Sequence, residues 1–377
     1  MKKIMIILMA AALMVGCQND DTDFSDYING TTSTTSTNVI NIVYSSSSVS
    51  VTGDDNGYVT VSGTDVTVNT GTDTDSLLLV LSGSCNDGSL LIYRQKKFGI
   101  QLNGLTLNNS DGPAINNQCG KSLYLYVKSG TTNTLTDGTS YTEQSYDQKG
   151  ALFSEGQVYV MGTGTLNVTG NYKHGFACDD YIVIDDGVTL NVSSTTGNGI
   201  KVNDGLWINN GTLDISVTAD AARGIKCDSV VVITGGTITI ETSGDCVYDS
   251  DEQDYSSAAC IKCDYDFTMS GGTLTMTSSG DGGKGINSSA GVIFSGGTLT
   301  AITTGGNDEG KPKAIKATTG ITVSGGSFYA QVMKSWACDS GYGDDTTTDD
   351  ERLANCVTVV GSPTTNSIAK KLVQIKF

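Results

Sequence analysis

A short motif that pairs a lysine with a polar residue two positions later recurs through the middle of the chain, and in three of four copies that residue is an aspartate or an asparagine. It reads Ile-Lys-Val-Asn at 200–203, Ile-Lys-Cys-Asp at 225–228 and 261–264, and Ile-Lys-Ala-Thr at 315–318. Residues two apart in an extended strand point to the same side, so we expect the lysine and its partner to share an outward face opposite the isoleucine. The predicted ligand-binding residues of this face are Lys201, Lys226, Lys262, Lys316, Asp228 and Asp264.

This face has two interpretations. Stacked parallel strands lie about 4.8 Å apart, so the lysines would form one column and Asn203, Asp228 and Asp264 a second column beside it. In the first interpretation, the ammonium groups meet the carboxylates of an acidic polymer lying in a groove beside the inserted loops. In the second, lysine and aspartate neutralise each other as a weakly stabilising surface ladder.

Acidic residues are densest in one polar insertion of the chain, at 246–258, and just before it. Hard cations such as calcium are bound by several carboxylate and carbonyl oxygens, which a loop can supply. The alternative is a solvated acidic loop without a metal. The predicted calcium ligands are Asp245, Asp249, Asp251, Glu252 and, from the equivalent loop of the next coil, Asp281.

Two further residue types bear on chemistry. Trp207 is predicted to point outward between Val183 and Val232 of neighbouring coils, where its indole could stack on a sugar ring or mark a self-association surface. The single histidine, His174, argues against a catalytic triad.

The lysine column could also supply a catalytic base. Lysines close together would lower one another's pKa, as a lyase base requires. The sequence around each lysine of the column is similar, however, so no single lysine stands out as the base.

The elements that carry these residues follow a repeat. The apolar anchors of the motif recur about every 24 residues, a period typical of solenoids, and wider gaps contain polar insertions at 246–258 and 303–313. These anchors are Phe176, Ile200, Ile225, Ile261, Ile286 and Ile315.

Each repeat contains three strand-like segments. After the lysine motif comes an apolar run such as 231–233, then a glycine turn such as 234–236, then a strictly alternating segment such as 237–240. Alternation with period two predicts a strand with one buried face. We therefore predict an all-β fold: one right-handed parallel β-helix over residues 39–377, with three short strands per coil of about 24 residues.

The N-terminus predicts export. Residues 1–17 combine two lysines with an apolar core, as a secretory signal does, and end in Leu-Met-Val-Gly-Cys, which resembles a bacterial lipobox. Cys17 would then carry a lipid, and residues 18–38, rich in Asp, Ser and Thr, would form a flexible tether. We expect an outer-membrane lipoprotein exposed at the cell surface, the alternative being one that faces the periplasm.

Charge and cysteine content narrow the possible partners. The net charge of −18 argues against binding to nucleic acid or to an anionic membrane surface. Apart from Cys17, nine cysteines remain. Those that share the inward position of the motif are expected to act as small apolar residues. The pairs Cys246 with Cys260 and Cys338 with Cys356 bracket loops, and each could be a disulfide or a pair of free thiols.

The order of several segments resembles a known family. Residues 129–138, 149–154, 162–168 and 174–176, together with coil motifs best matched at 244–249, look like the carbohydrate-binding β-helix domain of clostridial and related surface proteins. That resemblance implies a parallel β-helix similar to polysaccharide lyase family 9, calcium sites, and binding to cellulose or pectin-like polygalacturonate.

Three functions are compatible with the sequence. The leading hypothesis is a non-catalytic surface lipoprotein that binds an acidic or cellulose-like polysaccharide along the groove, with calcium. The alternatives are a calcium-dependent polysaccharide lyase with a lysine base and a structural adhesin.

Overall fold

The computed structural model describes residues 37–73, 75–306, 309–333, 336–341, 356–360, 367–368 and 375–376. The predicted signal peptide, Cys17 and all but the last two residues of the predicted tether lie outside these residues. Within them, every element is a β-strand. No helix in this part of the chain is both long and apolar enough to cross a membrane.

The first thirteen strands form the less regular coils at the N-terminal end. They are β1 (Asn38–Tyr44), β2 (Val49–Thr52), β3 (Val59–Ser62), β4 (Asp65–Asn69), β5 (Leu77–Cys85), β6 (Leu90–Tyr93), β7 (Phe98–Asn108), β8 (Ile115–Asn117), β9 (Leu123–Val127), β10 (Thr132–Thr136), β11 (Gly150–Ser154), β12 (Val158–Gly162) and β13 (Thr165–Gly170).

Regular three-stranded coils follow, and then shorter strands toward the C-terminus. These strands are β14 (His174–Cys178), β15 (Tyr181–Ile184), β16 (Thr189–Ser194), β17 (Ile200–Val202), β18 (Gly205–Ile208), β19 (Thr212–Val217), β20 (Arg223–Cys227), β21 (Val231–Ile233), β22 (Thr237–Thr242), β23 (Val247–Asp249), β24 (Asp254–Ser256), β25 (Ala259–Cys263), β26 (Phe267–Met269), β27 (Thr273–Ser278), β28 (Lys284–Ser288), β29 (Gly291–Phe294), β30 (Thr298–Thr303), β31 (Lys313–Ala317), β32 (Gly320–Val323), β33 (Ser327–Val332), β34 (Cys338–Asp339), β35 (Val357–Val359), β36 (Ser367–Ile368) and β37 (Ile375–Lys376).

The coils stack into two large sheets. The first strand of each regular coil joins a 12-stranded sheet that runs from β3 to β34. The second and third strands join a 23-stranded sheet, in which the long strand β7 pairs with both β9 and β10 and so connects the two stacks. Pairing between successive coils is parallel, as between β14 and β17 or β15 and β18. The predicted parallel β-helix is confirmed.

The apolar anchors of the repeat stack in the core as predicted. Each is the register partner of the next along the 12-stranded sheet. Every side chain in this row is fully buried, so the row forms one edge of a continuous core. The row consists of Phe176, Ile200, Ile225, Ile261, Ile286 and Ile315.

The glycine turns have the backbone geometry that the sequence predicts. Gly236 and Gly272 have φ angles of 84° and 79°, in the region that side chains resist. A Cβ atom on Gly272 would lie 2.7 Å from the backbone of Gly235 in the coil before it. These turns therefore stack too closely for any larger residue.

The cysteines are buried thiols. Cys178, Cys227 and Cys263 point into the core, as expected for small apolar residues. All nine cysteines of the described residues are unpaired, so neither of the two candidate loop pairs is joined. Instead, the Cys246 thiol donates to the Glu309 carbonyl oxygen at 3.0 Å.

The acidic insertion forms a hairpin. β23 and β24 pair antiparallel, with Tyr248 opposite Tyr255, and their rings meet edge to face with centroids 5.3 Å apart. Arg223 Nη2 donates to Ser256 Oγ at 2.9 Å and so ties the base of the hairpin to β20.

Candidate functional site

A continuous row of hydrogen bonds and ion pairs crosses the outer face of the 12-stranded sheet. The row follows the predicted column, because Lys201, Lys226 and Lys262 are register partners on three successive strands. We call this row the polar ladder. Its members are Lys149, Asp179, Asn203, Lys201, Asp228, Lys226, Asp264, Lys262 and Ser289.

Lys226 is at the centre of the polar ladder. Its Nζ lies 2.6 Å from Asp228 Oδ1 and 2.9 Å from Asp264 Oδ2. Lys201 Nζ lies 2.6 Å from the other oxygen of Asp228, and Lys262 Nζ lies 2.9 Å from the other oxygen of Asp264. Each aspartate is therefore shared by lysines of two coils, and the face carries alternating charges rather than a row of free cations.

The ion pairs shift the pKa values of both partners. Burial alone lowers the pKa of Lys226, but hydrogen bonds to Asp228 and Asp264 outweigh it and leave the pKa above its ordinary value. Burial raises the pKa of both aspartates, but their bonds to lysines outweigh it and hold the pKa below its ordinary value. The expectation that neighbouring lysines lower one another's pKa is therefore wrong for Lys226, since a carboxylate lies on each side of it.

Hydrogen bonds to uncharged side chains extend the ladder on both sides of the central ion pairs. Lys201 Nζ also donates to Asn203 Oδ1 at 2.6 Å, and Asn203 Nδ2 donates to Asp179 Oδ1 at 3.3 Å. At the other end, Lys262 donates to the hydroxyl of Ser289.

The fourth predicted lysine lies beyond the ladder in the same column. Lys316 is in register with Asn287 on one side and Asp339 on the other. Asn287 thus separates Lys316 from Lys262.

Two of the predicted calcium ligands lie in a row at the corner where the third strand of each coil ends. Asp245 Oδ1 accepts a hydrogen bond from the backbone N–H of Asp281 at 2.8 Å. Asp281 Oδ1 accepts from the N–H of Gly306, and the N–H of Asp245 donates to Asp220 Oδ1 at 2.9 Å. These carboxylates therefore link successive coils.

The other three predicted calcium ligands lie at the hairpin tip. Asp249 Oδ1 accepts from the N–H groups of Asp251 at 2.9 Å and Glu252 at 3.3 Å, which is how an acidic side chain stabilises a turn. The corner and the tip thus hold separate carboxylates, and calcium binding by this set stays a prediction.

In the described part of the chain, one group of three carboxylates does gather within 4.8 Å, and the sequence did not single it out. It consists of Asp147, Glu155 and Asp179. Lys149 forms ion pairs with Asp147, at 2.7 Å, and with Asp179. Burial and the charge of Asp179 raise the pKa of Glu155. Two carboxylates of this group therefore pair with the Lys149 ammonium group at one end of the polar ladder.

Trp207 lies on the other sheet, where its position was predicted. It is the register partner of Val183 and Val232, and its ring is half-buried. The ring meets Tyr181 edge to face, with centroids 5.7 Å apart and an interplanar angle of 83°. The sequence did not predict this contact, because Tyr181 occupies a different position of its strand.

Lys284 is a buried lysine that the sequence did not single out. It is 7% exposed and donates to the hydroxyl of Ser257. Burial, and then the charge of Lys316, lowers its pKa to about 8. The sequence shows that Lys284 directly precedes a Gly-Ile anchor. It does not show that the inserted loops bury this lysine.

His174 has a structural role. Its Nδ1 accepts a hydrogen bond from the backbone N–H of Asn198 at 3.0 Å. Burial, and then the charge of Lys201, lowers its pKa to about 4. The imidazole is therefore neutral at neutral pH and links one coil to the next.

Comparison with known proteins supports a carbohydrate-binding family. The sequence matches the family described as carbohydrate-binding domain-containing proteins over residues 62–223 and 216–310, about two thirds of the chain. A carbohydrate-binding domain-containing protein of Acetivibrio thermocellus is 28% identical over 115 residues. The aligned part is 29% of this chain and 40% of that protein, so the chain spans less than half of its relative's length.

A solved structure supports the fold. The polysaccharide lyase-like protein from C. thermocellum superposes with a TM-score of 0.56 and 22% sequence identity. The superposition covers 68% of this chain and 96% of the other. At this identity the likeness shows the fold alone. With its β-helical fold and a family match over most of its length, the chain belongs to the family of carbohydrate-binding domain-containing proteins.

Proposed function

We propose that this protein binds polysaccharide without cleaving it, as a lipoprotein attached through Cys17 and exposed at the cell surface. The polymer lies along the polar ladder, parallel to the axis of the β-helix. Family membership supports the polysaccharide partner. The signal-like and lipobox-like residues 1–17 and the polar residues 18–38 support the lipid anchor and the surface location.

The observation that carries this proposal is the regular spacing of the polar ladder. From Asp179 to Ser289 it crosses five successive strands of the 12-stranded sheet, β14, β17, β20, β25 and β28. Four steps of about 4.8 Å give a length of about 19 Å. A polysaccharide offers hydroxyl groups at an equally regular spacing, and lysine donates to hydroxyls while aspartate accepts from them.

Charge balance affects which polymer this face favours. Lys201, Lys226 and Lys262 face two aspartates, so the centre of the ladder carries little net positive charge. Hydroxyl groups can bind there without displacing an ion pair, whereas a uronate carboxylate competes with Asp228 and Asp264 for the lysines. Binding of an acidic polymer with the help of calcium, as the sequence predicts, therefore needs its own test.

The lysine chemistry supports binding rather than cleavage. A lyase base must be unprotonated and must reach its substrate. The raised pKa of Lys226 keeps it protonated at neutral pH. Lys284 has a lowered pKa, but it lies under the inserted loops with 7% of its surface exposed.

A glycan array with the purified protein, with and without chelator, tests the proposal. We expect binding to at least one plant or bacterial polysaccharide, and no ultraviolet absorbance from unsaturated product after incubation with polygalacturonate. Appearance of that product would favour the lyase. Binding to proteins or cells but to no glycan would favour the structural adhesin.

A further inference from the structure

Four aromatic side chains form a connected row on the outer face of the 23-stranded sheet. We call this row, Tyr124, Tyr159, Tyr181 and Trp207, the aromatic ridge. The rings of Tyr124 and Tyr159 stack with centroids 5.1 Å apart, and Tyr159 meets Tyr181 edge to face at 5.9 Å. Tyr181 then meets Trp207 at 5.7 Å. The ridge crosses the four successive strands β9, β12, β15 and β18, a length of about 14 Å.

The backbone makes room for this row. Trp207 leans over Gly205, where a Cβ atom would lie 2.5 Å from the indole ring. Gly205 is the register partner of Tyr181. The indole of Trp207 therefore lies directly beside the Tyr181 ring, at the equivalent position of the next coil. Val183, in the outward column between Tyr159 and Trp207, is 5% exposed. The ridge thus covers the sheet and presents rings, rather than backbone, to the outside.

Carboxylates flank the end of the ridge where Trp207 lies. Asp180 directly precedes Tyr181, and Asp204 directly precedes Gly205, on the side nearer the polar ladder. Asp185 and Asp186 follow β15 on the opposite side, where Asp186 Oδ2 accepts from the N–H of Gly162 at 3.0 Å. Burial and the charge of Asp204 raise the pKa of Asp180. This end of the ridge is therefore an apolar strip between two acidic borders.

The far end of the ridge has a different border. Lys121 and Lys128 flank β9, the strand that carries Tyr124. Opposite charges at the two ends give the strip a direction along the axis of the β-helix.

We propose that the aromatic ridge is a second polysaccharide-binding surface, distinct from the polar ladder, which takes neutral pyranose chains. This inference rests on the proposed function and adds a second face with different chemistry. The C–H faces of neutral sugar rings pack on aromatic rings, whose faces carry partial negative charge. Their hydroxyls donate to the bordering aspartates. A uronate polymer would bring its carboxylates against those same aspartates and is disfavoured there.

Charge also decides between a glycan and a second copy of this chain. Each copy carries a net charge of −18. Two copies therefore repel each other whatever the orientation in which their ridges meet. An uncharged polymer meets no such repulsion.

The test compares ridge variants with a matched control. Trp207→Ala and Tyr181→Ala remove rings, and Trp207→Phe keeps one. The control is Ile293→Ala, because Ile293 is half-buried in the same outward column three coils further on. Binding to hydroxyethyl cellulose and to polygalacturonate is measured by affinity electrophoresis, and circular dichroism checks that each variant is folded.

We expect Trp207→Ala and Tyr181→Ala to weaken binding of the neutral polymer about tenfold or more, the loss typical of a central aromatic contact. Trp207→Phe should lose less, and Ile293→Ala should match the parent. Polygalacturonate binding should change in none of them.

A second readout needs no change in the ridge. The chain has two tryptophans, so Trp336→Phe leaves Trp207 as the one emitting indole. Its fluorescence should shift when the neutral polymer is added. An unshifted emission at saturating polymer would contradict the inference even if the alanine variants fail to fold.

The remaining outcomes separate the inference from the proposed function. Equal neutral-polymer binding by parent and ridge variants overturns the inference alone. Concentration-dependent dimerisation that Trp207→Ala abolishes overturns it in favour of a second copy. If the folded parent binds no glycan, acidic or neutral, both the proposed function and the inference are wrong.

Discussion

Replacing the central lysine of the polar ladder tests whether its ion pairs stabilise the stack of coils. Lys226→Met keeps most of the apolar stem and removes the ammonium group that bridges Asp228 and Asp264. The two contacts, at 2.6 and 2.9 Å, are well formed, but the aspartate side chains are 42% and 38% exposed. Solvent screens such pairs, which are each worth about 0.2–1 kcal/mol. We therefore expect the free energy of unfolding to fall by about 1 kcal/mol.

The pH dependence of this loss follows from the shifted pKa values. The pKa of Asp228 and Asp264 is held below the ordinary 3.8, so their contribution is present above that value and is lost as the pH falls through the lowered pKa. The pKa of Lys226 is raised above the ordinary 10.5, so its contribution is present below that value and is lost as the pH rises through the raised pKa. The difference between parent and variant should be largest near neutral pH and should shrink in strong acid.

Thermal unfolding, followed by circular dichroism at neutral and acidic pH, measures this difference. Repeat proteins also open locally. The amides of β20 and β25 should therefore exchange hydrogen faster in Lys226→Met than in the parent. Lys128→Met, an exposed lysine outside the ladder, is the matched control and should change little. The reasoning is refuted if Lys226→Met unfolds like the control, or if its loss is undiminished in acid.

The other predictions concern calcium, acidic polymers and the anchor. Calcium should raise the melting temperature, and Asp245→Asn with Asp249→Asn, which keeps a side-chain oxygen at each position, should abolish that rise; an unchanged rise would place the ion elsewhere. Changing the three central ladder lysines to Ala should weaken polygalacturonate binding far more than one change does, and added salt should weaken it in the parent; equal binding by the triple variant would leave the ladder a structural row. Cys17→Ser should release the protein from the membrane fraction, and retention there would refute lipid anchoring at that residue.

The stacking of the coils was predictable because it depends on periodicity. The recurrence of Ile200, Ile225 and Ile261 in one motif fixed which residues are register partners, and the alternation of 237–240 fixed which side chains are buried. The same register placed Lys226 between its neighbours. It could not say whether that lysine faces solvent or two carboxylates, because this depends on side-chain distances of a few tenths of an ångström.

Contacts across strand positions and within insertions were less predictable. Tyr181 and Trp207 differ by two positions in register, so their contact depends on how the indole leans over Gly205. Residues 247–256 lack the regular alternation of the coils, so the sequence did not predict that they pair as a hairpin whose tip Asp249 stabilises. Burial of Lys284 results from cover by loops that no periodic pattern describes.

The most direct test of the account measures how affinity depends on the length of a soluble oligosaccharide, taken from a polymer that the glycan array identifies. The proposed site is a row about five coils long, at about 4.8 Å per coil. Isothermal titration should therefore show affinity that rises with each added sugar unit and then levels off near the length of the ladder. If a monosaccharide binds as tightly as the longest oligomer, the ligand occupies a closed pocket, and binding along the β-helix is wrong.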